Sequence, residues 1–277
     1  LHYVDEGEGD VVVLVHGTPT WSYVYRRLIA ALRPRYRVIA LDHLGFGLSE
    51  RPRGADYSPE GHARRFAGFV EALGLGRFSL VTHDFGGPIA LPFAAAQPGR
   101  IASLALFNTW MWPLGDDPAL RRQLRIAGGA VGRFLYKWGN ASLRVLMPAA
   151  FGDRRALTPE LHRQYLAPFV DREARVQVLH ALARSLLGSR EHFAGLYARR
   201  GALASIPTTV IWGLADAALG PPQLERLRRA LPAAEVHALA GVGHWPHEEA
   251  PAEVAARLDA HLARALARGG ARSSPLA

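Results

Sequence analysis

The sequence predicts an α/β fold: a mostly parallel, doubly wound sheet interrupted by a helical cap insertion. Three observations lead there. Short apolar runs alternate with segments of helical periodicity along most of the chain, the order that builds a parallel sheet with helices on both faces. The strand-like runs lack polar alternation, as strands covered on both sides should. Between residues 109 and 204 the alternation stops, giving way to a helix-rich, strand-poor stretch broken at Pro113, Gly128, Pro148, Pro159, Pro168 and Gly188.

Taken in order, residues 1–4 and 11–15 read as two strands joined by an acidic, glycine-containing turn, the pattern of a hairpin. A helix over 22–32 and an apolar strand over 37–41 follow, then a glycine-rich loop over 42–49. Ser58 before Pro59 is a cap and first-turn signal for a helix over 59–73. The apolar run 78–84 is a buried strand, Gly86 and Gly87 permit a tight turn, and a helix continues over 89–97 before a strand over 101–107. After the insertion come a strand over 208–213, a helix over 222–231, a strand over 235–239 and a closing helix over 252–267. The expected organisation is a core made of 1–108 and 205–268, a helical cap at 109–204 and a disordered tail at 269–277, where residues are small and polar.

A chain of 277 residues, 49% hydrophobic and 21% charged, suits one large domain with an insertion. It contains no cysteine, which excludes disulfides, thiolate metal sites and a Cys nucleophile. The net charge of +9 is carried by arginines, with Lys137 the lone lysine. Because those arginines are spread over helical segments and are not interleaved with aromatics, no nucleic-acid partner is expected. The charge does leave room for attraction to anionic surfaces or products. No apolar run reaches the ~18 residues of a membrane span, so no membrane partner is expected and a cytoplasmic location is. The first residue is Leu1, which leaves room for an upstream targeting segment.

Chemistry concentrates at predicted strand ends. Asp84 closes the run Ser79-Leu80-Val81-Thr82-His83-Asp84 and precedes Phe85-Gly86-Gly87. At such a turn a carboxylate stands clear of the sheet and attacks carbon without a base to deprotonate it; the competing reading is a helix N-cap. Asp216 and His244 fall just after the last two strands, so all three groups emerge at the carboxyl edge, where open α/β sheets bind ligands. Their order suits a nucleophile, an orienting acid and a base that activates water. His16-Gly17-Thr18-Pro19 ends an earlier strand, where Gly17 lets the Thr18 N–H face the pocket beside that of Phe85 as an oxyanion hole. His16 is expected to brace that loop, His83 to point away from Asp84, and His247 to belong to the following helix. No organic cofactor and no metal are implied: the chain has no His-x-x-x-His pair with a third ligand and no phosphate-loop lysine.

Together His16-Gly17-Thr18-Pro19-Thr20-Trp21-Ser22-Tyr23, Gly45-Phe46-Gly47-Leu48-Ser49 and His83-Asp84-Phe85-Gly86-Gly87-Pro88 resemble the haloalkane dehalogenases of the α/β-hydrolase superfamily. Gly213-Leu214-Ala215-Asp216 is similar to the segment bearing the acid in one branch of that family. The resemblance covers the core and is unspecific in the cap. It implies that Asp84 displaces halide to form an alkyl ester, that His244 activates water against the ester, and that Asp216 orients His244. The substrate would be small and apolar and halide a product. One departure bears on the leaving group: the family usually has Trp after the nucleophile, its indole N–H holding halide, and here the residue is Phe85. Thr18 likewise stands where some branches carry Asn. Replacement donors are sought in Trp110, Trp112 and Trp138, each of which has packing under the cap as its alternative. Two other functions stay open at this point: an epoxide hydrolase, with Tyr136, Tyr165 and Tyr197 as candidate proton donors, and a non-catalytic binding protein on the same scaffold.

Overall fold

The computed structural model of the chain describes residues 1–270. Its strands β1 (Tyr3–Glu6), β2 (Val11–Val15), β3 (Arg37–Leu41), β4 (Phe78–Asp84), β5 (Ile101–Thr109), β6 (Thr208–Gly213) and β7 (Glu235–Leu239) form one seven-stranded sheet in the order β1-β3-β2-β4-β5-β6-β7. Every pairing is parallel except that of β1 with β3. The chain winds outward in both directions from β2 and β4, whose neighbouring ends therefore open onto the switch-point crevice.

The expected hairpin of the first two strands does not form. Tyr3 pairs with Leu41 of β3, and β3 separates β1 from β2. The reason is burial: Val12, Val13, Leu14 and Val15 are fully buried and suit a strand flanked on both edges, whereas β1 is only half covered and suits an edge. Gly7 and Gly9, at φ +83° and +97°, carry the chain from the edge strand towards the centre of the sheet.

Helices α1 (Arg26–Leu32), α2 (Pro59–Ala72) and α3 (Gly86–Ala96) cover the first half of the sheet. Ser58 caps α2 by accepting a hydrogen bond from the Gly61 N–H. α3 starts three residues earlier than the pattern predicts, because Gly86 and Gly87 are themselves helical. The strand cores, such as Leu80, Val81, Leu104 and Leu106, are fully excluded from solvent; each such side chain contributes about 1.5–3 kcal/mol.

Between β5 and β6 the described residues contain helices and no strand. They include α4 (Pro118–Gly128), α5 (Ala130–Phe134), α6 (Met147–Ala150), α7 (Pro159–Leu166), α8 (Arg172–Ala174), α9 (Ala181–Gly188) and α10 (Arg190–Ala198), with π-helical turns at Leu135–Gly139, Ser142–Leu146 and Arg175–His180. This layer is tied to the core at several points. Trp21 donates to the Gln164 carbonyl at 3.3 Å, Gln177 to that of Pro52 at 2.8 Å, and Ser189 to Glu60 at 2.8 Å. The chain then continues through α11 (Pro221–Ala230), α12 (Pro246–Glu249) and α13 (Pro251–Gly270). Gly269 and Gly270 thus belong to the last helix, and the rest of the expected tail lies outside the described residues. No described helix is long and apolar enough to cross a membrane.

Candidate active site

Asp84 sits at the end of β4 with φ +51°, a left-handed backbone that costs energy in any residue with a Cβ and recurs at functional turns. The Thr109 hydroxyl holds this turn by donating to the Asp84 carbonyl at 2.6 Å. Space there is available only because of two glycines: a Cβ on Gly17 would lie 2.3 Å from Asp84 Oδ1, and one on Gly86 would lie 2.1 Å from the Val15 carbonyl oxygen. Helix capping does not account for Asp84, since the residue at the N-cap of α3 is Phe85. Instead Oδ1 accepts the Thr18 N–H at 2.8 Å, and Oδ2 faces His244 Nε2 at 3.4 Å.

His244 lies in the loop after β7, its Nδ1 2.6 Å from Asp216 Oδ2. That contact fixes the proton on Nδ1 and leaves Nε2 directed at Asp84. The backbone holds the loop from both sides: the His244 N–H donates to the Ala150 carbonyl in the cap, and its carbonyl accepts from His83 Nε2, both at 2.8 Å. His83 therefore supports His244 from behind, its ring centroid 4.8 Å from that of His244. Burial drives its pKa down to about 3, so it is a neutral donor.

Asp216 is fully engaged. Oδ1 accepts the N–H groups of Ala218 (2.8 Å) and Leu219 (3.0 Å), and Oδ2 accepts from His244 and from Asn108 Nδ2 at 2.8 Å. Asn108, at φ +26°, also exchanges hydrogen bonds with both backbone groups of Gly213. It locks the ends of β5 and β6 together while orienting the acid. Sequence reasoning missed this residue; the available signal was an amide next to Thr109 at the carboxyl end of a predicted strand.

Burial alone would raise Asp216, but the imidazole beside it and its two N–H donors hold it well below the usual carboxylate range. For His244 burial would lower the pKa, yet Asp216 and then Asp84 outweigh it and lift the imidazole well above its ordinary value. The consequence is chemical. Were the charge of Asp84 removed, as by esterification, one of the two charges that keep His244 protonated would be lost and its neutral form would be favoured.

The loop bearing Thr18 is braced by His16, whose Nδ1 donates to the Gly17 carbonyl at 2.8 Å while Nε2 accepts the His43 N–H at 3.1 Å. Burial lowers His16 to about 3, so this bridge is uncharged.

The three tryptophans separate. Trp110 packs its ring at 74° against Phe85, centroids 4.9 Å apart, and its buried Nε1 has no partner among the described residues. The Trp112 Nε1 already has a partner, donating to Gln223 at 3.1 Å, and Arg226 stacks on its ring. Trp138 is 53% exposed on the outer cap with Arg172 over it. The Thr18 hydroxyl is buried and likewise unpartnered. Of the tyrosines, Tyr165 donates to the buried Glu248, which also pairs with Arg26, and Tyr197 packs between Trp112 and Arg200. Tyr136 feels the charge of Asp84, as does the buried Tyr25, whose hydroxyl donates to the Val15 carbonyl; burial pushes the Tyr136 phenol up to about 12. A pair of tyrosine donors facing Asp84 is therefore not assembled.

A sheet wound from a switch point, with an acid at a strained strand-to-helix turn and a histidine–acid pair on the last two strand ends, defines a class of hydrolase. The chain belongs to the α/β-hydrolase fold family, whose model matches residues 10–251. Within it, the protein is an enzyme of the haloalkane dehalogenase type. It is 36% identical over 260 residues to haloalkane dehalogenase 2 of Mycobacterium tuberculosis, covering 93% of this chain and 90% of the relative. It is 33% identical to the cis-3-alkyl-4-alkyloxetan-2-one decarboxylase of Shewanella oneidensis, covering 92% and 82%. Among solved structures, haloalkane dehalogenase DatA from Agrobacterium tumefaciens aligns with a TM-score of 0.84 at 27% identity, covering 95% of this chain and 92% of that one.

Proposed function

We propose that this enzyme cleaves small haloalkanes to an alcohol and halide by way of an ester on Asp84. The carrying observation is the division of labour on one carboxylate: Oδ1 is held by the Thr18 N–H while Oδ2 faces His244. Oδ2 attacks the halogen-bearing carbon, the C–X bond breaks, and halide departs with its electron pair. His244 then takes a proton from water through Nε2, and the resulting hydroxide equivalent adds to Cγ of the ester. Negative charge develops on Oδ1, where the Thr18 N–H already points and the Phe85 N–H is the second donor. Collapse releases the alcohol and restores the Asp84 carboxylate, with Asp216 stabilising the imidazolium. The departing halide is met by the Trp110 indole N–H and the Thr18 hydroxyl, which are among the buried donors left without partners in the described residues.

A single turnover in ¹⁸O-labelled water tests the ester. The first alcohol should carry unlabelled oxygen and the label should enter Asp84; labelled alcohol in the first turnover would overturn the scheme.

The replacement of the usual halide-binding indole by Phe85 favours a second reading, in which the leaving oxygen stays attached to the substrate. With an oxetan-2-one, Asp84 would open the ring at its alkyl carbon and expel a tethered carboxylate. Breaking the bond to that carboxylate would release carbon dioxide, form an alkene and return Asp84 without consuming water. Carbon dioxide evolution from oxetanones, with no halide release from matched haloalkanes, would select this reading.

A further inference from the structure

The outward face of the cap is apolar where a free surface should be polar. Among the described residues, eight of the eleven large hydrophobic side chains that are exposed lie between residues 126 and 170. Val131, Phe134, Leu135 and Trp138 follow the i, i+3, i+4, i+7 spacing of one helical face and are 45–62% exposed. Inward-facing neighbours Tyr136, Leu143 and Met147 are buried, so this run is apolar on both sides.

The outer side chains form one patch. The Phe134 and Trp138 rings lie 6.5 Å apart. Arg175 donates to the carbonyls of Lys137 and Val170, bringing Val170, 74% exposed, alongside them. Val145 and Leu146, 59% and 51% exposed, follow the exposed Arg144, whose charge reaches Arg175.

Charge identifies the occupant. Residues 118–150 contain six basic side chains and no acidic one. Arg172 lies 4.5 Å and Lys137 5.7 Å from the Trp138 ring. Of the two acids beside them, Glu173 is paired with Lys137, and Asp171, next to Val170, accepts the N–H groups of Glu173 and Ala174. A second copy docking by a two-fold axis would set this face against itself, like charge on like charge. The patch is also carried on outward helical turns, with aromatic and aliphatic side chains interleaved with cations. That combination matches the boundary between phospholipid headgroups and acyl chains, where apolar groups insert and cations meet anionic lipid.

We infer that the outer cap face, centred on Phe134, Leu135 and Leu146 and ringed by Arg133, Lys137 and Arg144, docks the enzyme on anionic lipid bilayers. The expectation of no membrane partner rested on the lack of a spanning segment, and surface docking needs none. The inference stands on the cap surface and not on the reaction assigned to Asp84.

Co-sedimentation of the full chain with lipid vesicles tests it. Mixed phosphatidylcholine–phosphatidylserine vesicles should retain the protein at least about tenfold better than phosphatidylcholine alone, an advantage that shrinks as salt rises. The Phe134→Ser/Leu146→Ser variant should lose about tenfold or more of that retention while its turnover of a water-soluble substrate is unchanged. Equal retention on the two vesicle types, or a variant that binds as well as the parent, would overturn the inference. So would a dimer in analytical ultracentrifugation that the same variant abolishes, since the face would then serve a second copy.

Discussion

Replacing His244 by Phe separates the two halves of the proposed reaction. The substitution is structurally mild, since the imidazole already sits among aromatic rings, with His83 and Trp245 centroids at 4.8 and 4.7 Å. Asp216 loses one partner and keeps three, the N–H groups of Ala218 and Leu219 and the amide of Asn108. Asp84 keeps Thr18. Alkylation needs no base, so the variant should release about one halide per enzyme in a burst. Hydrolysis does need one, and a positioned general base is worth roughly 10²–10⁴-fold, or about 3–5 kcal/mol of barrier. The ester should therefore accumulate, detectable by intact mass as a gain of one alkyl group. Its position is easily mapped, because Arg77 and Arg100 bound a tryptic peptide in which Asp84 is the only acidic residue. An alkyl group on any other peptide, or steady turnover at the parent rate, would refute the assignment of Asp84 and His244.

Trp110→Phe keeps the packing on Phe85 and removes only the unpartnered N–H, so kcat/KM for bromoalkanes should fall about 10- to 100-fold, as for a hydrogen bond to a charged group, with Tm unchanged. Trp112→Phe should leave kcat/KM alone; equal effects of the two would remove Trp110 from the leaving-group site. Asn108→Ala orphans the buried Gly213 N–H and places alanine at a positive φ, which should cost about 2–5 kcal/mol in urea unfolding; a loss below about 0.5 kcal/mol would show that the amide is not a structural lock. The raised pKa of His244 stabilises the fold fully below its unfolded value near 6.5, and that contribution is lost as pH climbs through the folded value. Asp84→Asn removes one of the charges that raise it, so the alkaline decline in urea midpoint, which starts near the unfolded value in both proteins, should be smaller and end at lower pH in that variant; superimposable profiles would contradict the coupling.

Much of the core was legible because its signals are local. Most strands of the parallel sheet announce themselves by an apolar run, although β7 carries Glu235 and His237, and Asp84, Asp216 and His244 lie at or shortly after strand ends, so their chain order and carboxyl-edge location could be read without contacts. The N-cap alternative for Asp84 fell only when the backbone was seen, since φ +51° and the Thr18 contact are not local properties of the sequence. β1 was misplaced for a related reason: pairing with β3 is decided by which strand edges are free once the sheet is assembled.

The sequence by itself determined the fold class, the family resemblance and the placing of Asp84, Asp216 and His244 at strand ends, because residue type and order suffice for those. Only the tertiary structure sorted Trp110 from Trp112 and Trp138, found Asn108 behind Asp216, and brought the apolar and basic side chains of the cap onto one outer face. A side chain's role in those cases depends on which partners reach it and whether water does, and the helices that decide this are separated by tens of residues along the chain.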